Sequence, residues 1–155
     1  MQLKDCSIDI ELDEGFIFRQ LDIRDYESNY FELLSQLSIA PKVEYDYFVS
    51  VISDKNVKIF VVEDLKTKML IATVRLNFER KLIRNAGSVC HFEDFVVDQK
   101  YRSKGIGAKI IKFSQKFAEQ QGCYKILGIC AEQLMPYYEK QDFKRTGFVF
   151  GKYFI

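Results

Sequence analysis

"HFEDFVVDQKYRSKGIGAKI", residues 91–110, sets an alternating apolar stretch, a basic cluster and a Gly-x-Gly pair in direct succession. The alternation reads as a strand, and the residues from Ile106 onward read as a helix. Arg102, Lys104, Lys109 and Lys112 surround the start of that helix, and no carboxylate follows until Glu119. Helix starts ordinarily attract Asp and Glu, because the macrodipole is positive there. A bound phosphate supplies the missing negative charge if Arg102 to Ala108 forms a nest of backbone N–H groups; otherwise the segment is a tight turn with solvated lysines. No Gly-Lys-Ser/Thr follows at Walker spacing and the third glycine of the dinucleotide fingerprint is missing, so nucleotide hydrolysis and hydride transfer both lose ground.

Upstream of this stretch, "FIFRQLDI" (16–23) alternates like a strand. Asp22 or Asp25 can cap a helix whose apolar positions Tyr30, Phe31, Leu34 and Leu37 recur at helical spacing. A second short helix is expected over "VEYDYFVSVI" (43–52), although its β-branched residues weaken the pattern. "VKIFVVED" and "MLIATVRLNFERK" read as strands joined by the turn "LKTK", and "NAG" separates them from "SVCHFEDFVV". Three consecutive strands with short turns make an antiparallel meander. Downstream, Ile106, Ile110, Phe113 and Phe117 lay down a helical stripe that stops at Gly122. "CYKILGIC" is then a strand, "EQLMPYYEKQ" a short helix started or interrupted near Pro136, and "GFVFGKYFI" (147–155) a closing apolar strand. The order β-α-α-β-β-β-α-β-α-β makes an α/β fold with a mixed, mostly antiparallel sheet.

The 155 residues suit one domain, and 48% apolar with 15% aromatic residues is too rich for disorder. Residues 1–15, with five acidic side chains and no sustained periodicity, read as a loosely held lead-in to a domain over 16–155. With 23 basic against 22 acidic residues the net charge is +1, so no overall field draws the chain to nucleic acid or an anionic membrane. Cys6, Cys90, Cys123 and Cys130 form no Cys-x-x-Cys pair and His91 is the single histidine, so no metal site is expected. Reduced thiols, the lack of a signal-like N-terminus and the lack of a membrane-length apolar run point to the cytoplasm or a similarly reducing compartment.

Arg-x-x-Gly-x-Gly between a strand and a helix resembles the pyrophosphate loop of the GNAT N-acetyltransferase superfamily, whose element order is the one deduced above. Within it the eukaryotic glucosamine-6-phosphate N-acetyltransferases are the closer match. "FERKLIR", "HFEDFVVDQKYRSKGIG", "GCYKI" and "YYEKQDF" fall in the same order and nearly the same spacing, with "LLSQLS" and "VVED" upstream. The resemblance implies acetyl transfer from acetyl-CoA to the amine of glucosamine 6-phosphate, a step toward UDP-N-acetylglucosamine. Another acceptor, a small polyamine or a protein amine, is the alternative, and a catalytically weak acyl-CoA-binding domain is a third.

By this resemblance the backbone of Phe95, Val96 and Val97 pairs with the pantetheine arm, and Arg102, Ser103, Lys104, Gly105, Ile106, Gly107 and Ala108 hold the diphosphate. Tyr138 matches the tyrosine near the coenzyme sulfur, whereas Tyr137 is expected to pack. Glu93 and Asp94 are adjacent on a strand, so their side chains are expected on opposite faces with separate jobs; the resemblance puts both at the sugar site. Ser38, Lys81, Arg84, Tyr124 and Lys125 fall where the family binds the sugar and its phosphate. Lys152 aligns with an arginine that reaches the phosphate of a partner subunit, which implies a homodimer with a shared site. The chain departs from the family pattern at Ile129, where relatives carry an acid, at Leu134 for asparagine, Asp142 for glycine and Arg84, often histidine.

Overall fold

A computed structural model of the protein describes residues 10–154. Strands β1 (Phe16–Gln20), β2 (Val57–Asp64), β3 (Met69–Arg80), β4 (Ser88–Val97) and β5 (Cys123–Gly128) form one sheet in that order. β2, β3 and β4 form the antiparallel meander that their short turns predict, β1 adds antiparallel to β2, and β5 joins parallel to β4 after the long crossover helix α3 (Ile106–Gln120). Asp64 shapes the β2–β3 turn by accepting from the amides of Lys66 and Thr67 at 2.9 and 3.3 Å.

Helix α3 covers one face of the sheet. Its stripe of Ile106, Ile110, Phe113 and Phe117 meets Val74, Leu76 and Phe78 of β3 and Cys90 and Phe92 of β4. Phe18, Phe60, Phe113 and Phe117 interlock there with ring centroids 4.6–5.5 Å apart, a spacing that adds to the burial energy. Helices α1 (Tyr30–Leu34) and α2 (Tyr45–Ile52) pack on the opposite face against Val57, Ile59, Val61 and Val96. Of the lead-in, residues 1–9 lie outside the described part, while Ile10 and Leu12 pack on the α3 side.

Two expectations are corrected, the unbroken first helix and the closing strand, and one turn is new. The first helix is broken: Asp22 caps a 3₁₀ turn over Ile23–Glu27, and the α-helix begins only at Tyr30, leaving Leu37 outside it and exposed. Tertiary bonds cause the break, because the Asn29 side chain exchanges hydrogen bonds with the Leu70 backbone at 2.8 and 2.9 Å, while Asp25 turns inward to Arg19. The segment Ile83–Ala86 is a left-handed turn, with Arg84, Asn85 and Ala86 at φ 53–57°. Finally, residues 147–154 form no strand, and Phe148, Phe150 and Phe154 are 92, 98 and 88% exposed. An isolated strand has no ladder to join within this chain, and its apolar side chains meet no facing layer.

Candidate functional site

The two halves of the sheet part in the middle of the stretch at residues 91–110. β4 pairs with β3 as far as Val97, but with β5 only over Ser88–Phe92. From Glu93 to Val97 the edge of β4 that faces β5 therefore has no strand neighbour, and it presents main-chain groups that an extended ligand can pair with. Phe95, Val96 and Val97 lie on this edge, where the resemblance puts the pantetheine arm.

The same segment carries a β-bulge. Thr73 pairs with Val96 but Arg75 pairs with Glu93, so β4 has one residue more than β3, and Asp94 takes φ 45°. The bulge overturns the expectation that Glu93 and Asp94 point to opposite faces. Phe92 and Phe95 both pack on the α3 side although they are three residues apart, and the two acids between them share the other face. There Asn77 donates to Glu93, and Arg75 Nη1 lies 3.8 Å from Asp94 Oδ2. The two-residue period of a strand hides an inserted residue, so the pairing of these acids is invisible in the sequence.

Beyond Val97 the chain turns through Gln99–Tyr101 into the basic loop. Arg102 Nε donates to the Val97 carbonyl at 3.0 Å, which folds its side chain back on the end of β4. Ser103 and Gly105 both adopt positive φ, 68° and 75°, the alternation of backbone hand that turns successive N–H groups into one concavity. No side chain caps α3, and its first turn has no acid. The amides of Ile106, Gly107 and Ala108 thus open toward the loop with Lys104 and Arg102 beside them, which fits an anion with two phosphoryl groups. Gly107 is also closely packed: a Cβ there would lie 2.5 Å from the Tyr137 hydroxyl and 3.3 Å from Phe95 Cζ. Two latches hold the loop. Tyr101 donates to Asp64 at 2.8 Å, and Gln36 donates to Asp98 at 2.8 Å while accepting from the Gln99 amide at 3.1 Å.

Helix α4 (Met135–Glu139), with Pro136 in its first turn, delivers both tyrosines to the parting of the strands. Tyr137 packs over Gly107, as expected of it. Tyr138 stacks edge-on against Phe92, Tyr137 and Phe143 at 6.3, 5.5 and 5.9 Å, so it stands where β5 leaves β4. Burial favours the neutral phenol and pushes the Tyr138 hydroxyl up to about 12.

The cationic residues are dispersed. Lys81 ion-pairs with Glu79, which also bonds His91 Nε2 at 2.8 Å, and these two partners hold the Glu79 carboxyl below its usual range. Arg84 is exposed on the left-handed turn, against whose Gly87 the Tyr124 ring is packed. Lys125 lies over that ring at 5.7 Å. Ser38 sits exposed in the loop after α1, two residues from the Gln36 latch, its amide bonded to the Leu34 carbonyl at 3.1 Å. Lys152 is exposed beside Phe154 in the unpaired C-terminal segment, and no contact joins it to the other site residues. Arg75, Asn77, Glu79 and His91 went unassigned at the sequence level, although the polar alternation Arg75, Asn77, Glu79, Lys81 between Leu76 and Phe78 marks one wet face of a strand.

Cys90, Cys123 and Cys130 are free thiols, and burial raises the first well above and the second to about 11. Among the described residues no group of three or more His, Cys, Asp or Glu is arranged to hold a metal ion, and no helix is long and apolar enough to cross a membrane.

Residues 18–143 match the family model of the Acetyltransferase (GNAT) family. The chain is 38% identical over 141 residues to glucosamine 6-phosphate N-acetyltransferase 1 of Dictyostelium discoideum, covering 88% of this chain and 89% of the relative. It is 32% identical over 147 residues to the Arabidopsis thaliana enzyme of the same name, covering 91 and 98%. The crystal structure of that Arabidopsis glucosamine-6-phosphate N-acetyltransferase superposes with a TM-score of 0.86 at 31% identity, over 92% of this chain and all of the other. With this sheet, this loop and these relatives, the chain belongs to the GNAT acetyltransferase family.

Proposed function

We propose that the protein transfers the acetyl group of acetyl-CoA to the amine of glucosamine 6-phosphate, with residues 16–155 as the acetyltransferase unit. The parting of β4 from β5 directly ahead of an uncapped, acid-free helix start carries this reading. One opening offers an extended edge for an acylated pantetheine arm and a nest for its diphosphate. The named relatives support the acceptor.

The residues divide the work. The open edge at Phe95 to Val97 aligns the thioester, and main-chain N–H groups there polarise its carbonyl. Glu93 and Asp94, on the face away from α3, receive the acceptor amine and its ring hydroxyls, and one of them takes the ammonium proton. Tyr138 donates a hydrogen bond to the departing sulfur. A phenol held near 12 is a weaker acid than an ordinary thiol near 8.5, so stabilising the thiolate, more than full proton release, is its natural task. Lys81, Arg84 and Lys125 favour a phosphorylated acceptor over a polyamine, which needs carboxylates around it instead.

Thiol release measured across glucosamine 6-phosphate, glucosamine, spermidine and a lysine peptide tests the acceptor. The expected result is kcat/KM highest for glucosamine 6-phosphate, with Lys81→Ala raising the KM for that sugar more than it lowers kcat. Equal rates on glucosamine and its 6-phosphate speak against a phosphate subsite.

Gly105→Asp tests the nest. It puts a side chain on a residue at φ 75° and a carboxylate at the proposed diphosphate position. The Kd for acetyl-CoA is expected to rise at least roughly tenfold, the effect of about 1.4 kcal/mol. Unchanged calorimetric affinity in a folded variant removes the loop from the site.

A homodimer completes the reading. Among the described residues the apolar tail over 147–154 is exposed and the outer edge of β5 has no strand neighbour, and both call for a second copy of this chain, whose pairing would bring Lys152 to the partner's acceptor site. Exchanged heterodimers of Lys152→Ala with Tyr138→Phe chains are expected to exceed both parents in activity, since one of their two sites is then intact. A monomer by light scattering ends this part of the proposal.

A further inference from the structure

The bulge puts two carboxylates side by side, and their mutual repulsion needs an answer in the fold. Arg75 supplies one. Its Cα is the direct cross-strand partner of Glu93, and its guanidinium reaches both acids by different routes. Nη1 stands 3.8 Å from Asp94 Oδ2, while Nε donates to Asn77 Oδ1 at 3.0 Å and Asn77 Nδ2 in turn donates to Glu93. The Arg75 hydrogen bond fixes which end of the Asn77 amide faces Glu93. Lys81, the next cation on this face, is taken by Glu79.

We infer that Arg75, with Asn77 as its relay, is the positioning residue that lets Glu93 and Asp94 stand together as an acceptor site. The cation reduces the local charge of the pair from two negative to one. It also holds Asp94 at the bulge directly and Glu93 through Asn77. The inference rests on the proposed role of Glu93 and Asp94 as the receivers of the acceptor amine.

The test compares Arg75→Gln, Arg75→Lys, Arg75→Ala and Asn77→Leu with wild type. Arg75→Gln and Asn77→Leu are expected to lower kcat roughly 10- to 100-fold, the scale of a misoriented acid or base, with the acetyl-CoA Kd within about twofold. Arg75→Lys regains part of the loss, since a point charge reaches Asp94 without the fork to Asn77. Millimolar guanidinium added to Arg75→Ala regains part as well. Side-chain amide exchange by NMR gives a readout without turnover: the Asn77 NH₂ protons are protected in wild type and exchange faster in Arg75→Gln. A kcat within about twofold of wild type in Arg75→Gln overturns the inference. So does a loss that neither lysine nor guanidinium relieves, or Asn77 exchange that does not change. If wild type does not acetylate glucosamine 6-phosphate, the acceptor reading fails on that measurement alone. The variant ratios on whichever amine is accepted, and the exchange data, still decide Arg75.

Discussion

Tyr138→Phe is expected to lower kcat by roughly 10²-fold or more while leaving the affinity for acetyl-CoA nearly unchanged, because the ring keeps its packing and only the hydroxyl is lost. Phe92, Tyr137 and Phe143 hold the ring from three sides, so the substitution removes one hydrogen-bond donor and opens no cavity. The pH profile gives a second measurement. Burial favours the uncharged phenol and pushes it up to about 12, so the hydroxyl is protonated throughout the range in which enzymes are assayed. Any alkaline fall of kcat below about pH 11 therefore comes from another group and survives in Tyr138→Phe at its reduced level. A wild-type rate for the variant, or loss of an alkaline limb present in wild type, contradicts the assignment.

The other large effect concerns stability. Arg19 of β1 grips Asp25 with both Nη atoms at 2.7 and 2.8 Å and reaches Glu63 Oε2 with Nε and Nη2 at 3.0 and 2.9 Å. Asp25 is 6% exposed and also accepts from the Asp22 amide at 2.7 Å. Removing the arginine leaves a buried carboxylate facing a second one with no cation between them, and breaking such a pair costs about 3 kcal/mol. Arg19→Ala is thus expected to lower the melting temperature by roughly 6–12 °C in a domain of this size. The double variant Arg19→Met with Asp25→Leu, which removes both charges, recovers much of that loss. A single variant that melts within about 2 °C of wild type refutes the account.

The five strands and the long helix were legible because apolar runs bounded by turn residues mark the first and a 3.6-residue stripe marks the second. The apolar runs of Val57–Asp64 and Met69–Arg80 form strands, and the stripe from Ile106 to Phe117 forms a helix, where the sequence puts them. The basic loop at residues 102–108 stood out by charge, since a helix start without acids is a local anomaly. What failed to read were features made by contacts across the chain. Asn29 looks like any helix-compatible polar residue until Leu70 offers it a backbone donor and acceptor. Glu93 and Asp94 alternate by rule until one inserted residue cancels the rule. The tail from Gly147 has the composition of a strand, but composition names no partner. The ion pair of Lys81 with Glu79 also escaped notice, although alternation puts a neighbour two positions away on the same face.

The short seam between β4 and β5 governs how the molecule breathes. Five positions of β4, Ser88 to Phe92, pair with β5, and the piece from Cys123 through α4 is further held by Cys123, Ile126, Tyr138 and Phe143 against the core and by the bond from Gln115 to the Gln141 carbonyl at 2.6 Å. In native-state hydrogen exchange such a unit opens at a lower free energy than the β2–β3–β4 ladder. Tyr138 rides on that unit, while Glu93, Asp94 and the nest belong to the stable part. The two sides of the proposed reaction centre thus sit on parts of the chain with different opening energies, and a ligand bridging the seam is expected to tighten the weaker one. Slower amide exchange in Cys123–Gly128 is then a signature of coenzyme binding that reaches beyond the residues it touches.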